Sequence, residues 1–291
     1  MTMRYRIRHE TLYAYADRVD LAAHMLHLSP RMLPGQQVFD ASITAEPRPS
    51  RMSWGLDHFG NQVCWLFLDH PHERFSVTVQ AEVAVGFAPP PVAELTLPWE
   101  QVVAIAAAGG AAFQASEFSY ASPMAPADAG AGAYAAASLP AGRPILQAVL
   151  DLCGRINREF AFRPGVTTVN TSVADVLAGR AGVCQDFTHL MIAGLRAHGL
   201  PARYVSGYLR TKPPPGQAPR RGADQSHAWV GCWLGPEHGW VDLDPTNNLV
   251  VGDEHVVLAW GRDYGDISPV RGVILGGGAH TVTVGVDLAP T

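Results

Sequence analysis

The chain has 291 residues, enough for one large or two medium domains, and its 47% hydrophobic and 16% charged residues describe a globular protein with ample core material. A formal charge of −5 and a pI near 6.2, with no basic patch interleaved with aromatics, argue against nucleic acid as the main partner. No apolar run approaches the roughly 20 residues of a membrane span, so no membrane partner is expected.

The opening residues MTMRYRIRHE alternate and are charged, which reads as a strand and not as a signal peptide. Residues 4–15 continue that strand, 21–33 suit either a strand or a short helix, and 37–46 suit another strand. A turn at Asp57–Asn61 precedes strands at 62–68 and 74–86, giving an antiparallel β-rich domain over 1–88. His24, His27, His70 and His72 fall here, but no Asp, Glu or Cys cluster joins them into a ligand set, so no metal site and no cofactor are expected. Pro89–Pro91 marks a boundary. Residues 89–142 are rich in Ala, Gly and Pro and read as a connector with short helices, one around 99–108.

Ile145, Val149, Leu152, Ile156 and Phe160 recur at three and four and predict a helix over 143–160. A loop over 162–170 leads to a short helix at 173–179 capped by Ser172. The run Gly182-Val183-Cys184-Gln185-Asp186-Phe187 then delivers a cysteine to the start of an apolar helix. Phe187, Leu190, Met191, Gly194 and Leu195 form its stripe, and Gly199 and Pro201 end it. At a helix start, backbone N–H groups and the positive end of the dipole face the sulfur; the position suits a reactive thiol as well as a packed one. Cys64, Cys153 and Cys232 lie in apolar patterns and read as core thiols. With no CxxC pair, neither a zinc knuckle nor a thioredoxin-like motif is supported, and a reduced, cytoplasmic setting fits.

Ala202–Leu209 reads as a strand, and Pro213–Ala223 as a Pro/Gly/Arg loop that either is solvated or covers substrate. Ser226–Trp233 is a strand with His227 at its start. Gly239–Pro245 is the next strand, ending in an acid before a proline. The order Cys184, His227, Asp244, each at an element end, suits a thiol–imidazole–carboxylate triad. Setting Trp233 opposite Trp240 puts Trp229 opposite Asp244 and makes His227 its diagonal neighbour on the same face. Asp242 then lies opposite Gly231, one pair further off, so Asp244 is the better orienting acid. A closing hairpin at 270–275 and 279–288, joined by Gly276–Gly278, completes either the first domain or the core.

GVCQDFTHLMIAGLRAHGLPARYVSGY at 182–208, SHAWV at 226–230 and GWVDLDPTNN at 239–248 together resemble the bacterial transglutaminase-like family. RYRIRHETLYAYADRV at the start is similar to its amino-terminal domain, and GRDYGDISPVRG at 261–272 to its usual ending. The resemblance implies an α+β fold: a transglutaminase/papain-like thiol-enzyme core over 143–260, with the Cys184 helix packed on an antiparallel sheet, behind the β-rich domain. Residues 261–291 hold the closing hairpin. It also implies a cysteine protease or amidase that hydrolyses a peptide or protein amide through a thioester, with Asp244 at the family's third position. A peptide made by an ATP-grasp-type ligase is a candidate substrate. A true transglutaminase, passing the acyl group to an amine, and a non-catalytic peptide-binding module are the alternatives. Trp229, beside His227, is a candidate to shield the ion pair from water. Tyr208 and Asp186 are candidates for substrate contact or, equally, a core aromatic and a helix cap. His189, about 140° round the helix from Cys184, is a poor base, and His198 and His238 read as helix-end and turn residues. No calcium-loop pattern is present.

Overall fold

In the computed structural model, which describes residues 2–211 and 225–291, one long strand organises the amino-terminal half. β1 (Met3–Leu26) alternates as its sequence demands: Tyr5, Ile7, His9 and Thr11 are buried while Arg4, Arg6 and Glu10 face out. With β2 (Gln36–Glu46), β3 (Arg51–Leu56), β4 (Gln62–Leu68) and β5 (His72–Val85) it forms a sheet in the order β2-β5-β1-β4-β3. The predicted strands at 37–46, 62–68 and 74–86 appear here, and the ambiguous 21–33 stretch continues as strand to Leu26. β3 was not predicted; its residues Met52, Trp54 and Leu56 lie exposed on an edge and carry little alternation of burial.

The Ala/Gly-rich stretch is more than a connector. It folds into α1 (Trp99–Ala108), α2 (Phe113–Ser116) and α3 (Ala129–Ala136), whose Val102, Ala106, Ala115, Ala131 and Ala135 join the main core. Its composition has a packing reason. A methyl group placed on Gly194 would stand 2.9 Å from the Ala135 Cβ, so only small residues let α3 approach the cysteine helix this closely.

α4 (Ile145–Glu159), β6 (Ala161–Phe162), α5 (Val173–Gly179) and β7 (Ala181–Gly182) lead to α6 (Cys184–Arg196). Ser172 caps α5, accepting from the Asp175 N–H at 3.1 Å. β6 and β7 pair in parallel just ahead of Cys184. β8 (Ala202–Leu209), β9 (Gln225–Trp233), β10 (Trp240–Asp244), β11 (Leu249–Val250) and β12 (His255–Gly261) build the second sheet, in the order β11-β10-β9-β8-β12. β9 and β10 pair in the expected register, Trp240 with Trp233 and Asp242 with Gly231. The loop expected over 213–223 lies outside the described residues.

The closing hairpin, β13 (Val270–Gly276) and β14 (His280–Pro290), returns to the first sheet, where both strands pair with β1. Its turn runs through Gly276, Gly277 and Gly278 at φ 94°, 87° and 57°, a conformation that side chains resist. The two sheets share a core: Tyr5, Ile7, Val286 and Leu288 pack with Tyr208, Val256 and Leu258. Among the described residues, no single helix is long and apolar enough to cross a membrane.

Candidate active site

The first turn of α6 is tied down from two sides. The Asp186 Oδ2 accepts from the Val183 N–H at 2.7 Å and from the Thr167 hydroxyl at 2.7 Å. Gln185 Nε2 donates to the Val169 carbonyl at 3.1 Å, so the 163–170 loop is fastened to the residues flanking Cys184. Gly182 has to be glycine for the same reason: a Cβ there would stand 2.6 Å from the Asp186 carboxylate. Asp186 is 3% exposed, and its carboxylate is engaged as a helix cap.

Cys184 is partly exposed, whereas Cys64, Cys153 and Cys232 are buried and unpaired. Cys184 lies near enough to His227 to help raise the proton affinity of the imidazole. His227 Nε2 donates to Asp244 Oδ2 at 2.7 Å. Asp244 is fully buried. Its Oδ1 accepts from the backbone N–H groups of Thr246 (2.9 Å) and Asn247 (3.2 Å), and its Oδ2 also accepts from Asn247 Nδ2 (2.7 Å). His255 Nε2 stands 3.4 Å from the same oxygen. Burial works against charge on both partners, but the pairing wins. His227 is pushed up to about 10 by Asp244 and Cys184 despite its desolvation. Asp244 is held well below the usual carboxylate range despite its own, by His227 first and then by His255 and Asn247. The site thus holds an imidazole on a buried carboxylate with the Cys184 thiol nearby.

Trp229 is fully buried beside this group, its ring 6.1 Å from that of His227 and 5.3 Å from that of His255. Its indole N–H donates to Asp242 Oδ2 at 3.0 Å, so Asp242 braces the tryptophan and not the imidazole. Gly207, paired with His227, makes room for that ring: a Cβ would overlap the Trp229 indole and the Val256 carbonyl.

Tyr208 is placed elsewhere. It pairs with Ser226, one residue before His227, and therefore points to the opposite face of β8. It is fully buried, with its hydroxyl 3.0 Å from His9 Nδ1 in the core shared with the first sheet. The expected substrate contact at Tyr208 is corrected to a core position by that burial. His189 receives the Tyr264 N–H at 3.2 Å and His198 meets the Gly132 carbonyl at 2.9 Å, so both are committed away from the thiol. His24 stacks on Phe75 and His27 reaches Asp57 at 3.2 Å; among the described residues, no three His, Cys, Asp or Glu side chains converge on a metal site.

Asn247 and His255 were missed from the sequence. Asn247 had a signal, because Asp-Pro-Thr-Asn is a turn whose aspartate accepts the N–H groups that follow it. His255 had none; it reaches Asp244 only because β12 adds to the sheet beyond β8.

This fold, a cysteine helix against an antiparallel sheet with imidazole and acid on neighbouring strands, is that of the transglutaminase-like thiol proteins. Residues 133–245 match the transglutaminase-like superfamily and residues 5–84 the bacterial transglutaminase-like N-terminal region. An uncharacterized protein of Mycobacterium tuberculosis is 39% identical over 299 residues, covering 99% of this chain and 93% of its own. The chain belongs to the bacterial transglutaminase-like family. A protein-glutamine gamma-glutamyltransferase of Pseudomonas aeruginosa is 34% identical over 102 residues, 34% of this chain and 15% of that one. The crystal structure of a candidate cysteine protease from Cytophaga hutchinsonii superposes with a TM-score of 0.74 at 22% identity, covering 100% of this chain and 91% of that one. Membership supports a cysteine-based acyl-transfer or peptidase-like function.

Proposed function

We propose that the protein is a thiol hydrolase that cuts a peptide or amide bond, with Cys184 as nucleophile, His227 as general acid and base, and Asp244 as the orienting acid. The observation that carries this reading is His227 held between Cys184 and the buried Asp244 carboxylate. His227 takes the Cys184 thiol proton, the sulfur attacks the carbonyl carbon, and the Cys184 N–H at the head of α6 faces the oxyanion that forms. The tetrahedral intermediate collapses to a thioester as His227 gives its proton to the leaving amine. Water then attacks the thioester, His227 takes its proton, and the carboxylic acid leaves with the thiol restored. Asp244 keeps the imidazole oriented and stabilises its cation throughout. Trp229 covers one side of the ring and keeps water from the ion pair. The free, buried thiols of Cys64, Cys153 and Cys232 support a reducing, cytoplasmic setting.

Transfer of the acyl group to an amine is the second reading, favoured by the local identity to the Pseudomonas transferase. Incubating the protein with a peptide library, with and without a primary amine, and reading masses separates the two. Cleaved peptides that persist in the presence of amine support the hydrolase; amine-adduct masses support the transferase. Peptides left intact, or cleavage retained by Cys184→Ala, would overturn both. An alkylating probe at neutral pH gives a substrate-free check. Burial pushes the Cys64 thiol up to about 11 and the Cys153 thiol to about 12, so labelling is expected at Cys184 first, as mapped by peptide mass.

A further inference from the structure

A cavity of about 1200 Å³ opens between the loops at 31–35, 58–60 and 86–91, which flank strands of the first sheet, the 113–118 segment and strands of the second sheet, and none of Cys184, His227 and Asp244 lines it. Its walls are apolar and aromatic, with Phe59, Phe87, Phe118 and Trp240 among them. Two guanidiniums stand in it on one indole. Arg31 lies 3.5 Å and Arg203 3.9 Å from the Trp260 ring centroid. Arg31 makes no ion pair among the described residues; its Nη1 is engaged by the Phe59 carbonyl at 3.3 Å and by the Asn61 amide oxygen. Arg203 is 8% exposed, and among the described residues its Nε has no hydrogen-bond partner. Its one carboxylate neighbour, Asp242, is 3.6 Å away, too far for a good hydrogen bond, and the nearer Asp242 oxygen is likewise without a partner.

Two cations placed in one desolvated cleft repel each other, and both are lowered from the usual guanidinium value, by burial first and, for Arg31, then by the charge of Arg203. Asp242 offsets one of them, while the Glu117 carboxylate at the rim is turned to His58 at 2.8 Å. Asp57 likewise acts on Arg31, but the buried Arg203 Nε keeps an unused donor among the described residues. Guanidinium forks on a stacking surface suit a carboxylate, and the aromatic walls suit an apolar body.

We propose that this cavity binds a carboxylate ligand with an apolar body, its carboxylate received at the Arg31 and Arg203 guanidiniums that line it. A free carboxylic acid and the carboxyl end of a peptide both offer that chemistry. The site is separate from Cys184, and its occupancy does not depend on which acyl-transfer reaction the thiol performs.

Titration of the full chain, followed by tryptophan fluorescence and calorimetry, tests the proposal with four probes: 3-phenylpropanoate, its amide, acetyl-Ala-Ala-Phe as the free acid, and the same peptide as its amide. Cys184 is first blocked with iodoacetamide so that no probe is turned over. At least one acid is expected to bind tenfold or more tightly than its amide, and the tighter acid identifies the source. Arg31→Met is expected to weaken that acid tenfold or more and to leave the amide unchanged. Equal binding of acid and amide, or no binding of either acid at millimolar concentration, would overturn the proposal, as would a folded Arg31→Met protein that binds unchanged. Should Arg31→Met fail to fold, the acid–amide comparison on the wild-type chain still decides. Binding seen only before iodoacetamide treatment would place the ligand at Cys184 and likewise overturn it.

Discussion

Asp244 draws donors from His227, His255, Asn247 and the backbone of the turn that follows it. A buried carboxylate with that many partners is both an orienting group and a fixed charge. Asp244→Asn keeps the shape but loses the charge, and is expected to slow alkylation of Cys184 and to lower turnover by about 10³–10⁴-fold. Asn247→Ala removes one donor of several, and a loss of about tenfold or less is expected from the same two assays. Equal losses would mean that Asn247 matters to the ring as much as Asp244 does. The ion pair also sets a pH dependence with a definite sign. His227 is raised, so its contribution to stability is whole below about 6.5 and is lost as pH rises through about 10. Asp244 is depressed, so its contribution is whole above the ordinary carboxylate value and is lost only as pH falls below it. The difference in urea-unfolding free energy between wild type and His227→Gln should therefore shrink steadily from pH 6.5 to 10. A difference that grew over that range would contradict the pairing.

At the scale of elements, β8 and β9 act as a unit. Trp229 reaches across to Gly207 and braces the imidazole from the side. Gly207→Ala is expected to destabilise the protein by about 1–3 kcal/mol through overpacking and to move His227 off its partners. Chemical denaturation measures the first effect, and the rate of Cys184 alkylation the second. A variant as stable and as reactive as wild type would show that the ring has room to shift. Much of this level was legible in the sequence. The α6 stripe follows from a local period and the Ser172 cap from local chemistry, while the β9–β10 register was reached by setting Trp233 opposite Trp240, the pairing the sheet has. What was not legible depends on pairing at a distance. β12 adds beyond β8 and brings His255 to Asp244, and no spacing records that. Tyr208 was equally opaque. Its neighbour in sequence, Gly207, pairs with His227, but alternation along β8 sends the ring to the first sheet. In the Ala/Gly-rich stretch the helix expected around 99–108 appears as α1, but α3 left no stripe to read because its small residues are set close against α6.

At the scale of the molecule, the two sheets are joined through a common apolar cluster and through the Tyr208–His9 hydrogen bond. Each lobe would expose part of that cluster if the other unfolded, so one cooperative transition is expected. Thermal melts followed by far-ultraviolet dichroism and by tryptophan fluorescence should coincide; two separated midpoints would show that the lobes unfold independently. The closing hairpin has a consequence in time as well as in space. Tyr5 pairs with Pro290 and Tyr15 with His280. On the ribosome, the first strand emerges early and can recruit β5 soon after. Its other edge stays bare while the helices, the thiol and the whole second sheet are being made. A nascent chain can therefore already have its imidazole and sulfur in place while it still offers an open backbone ladder to any strand nearby. Translation of the hairpin is what shuts that edge.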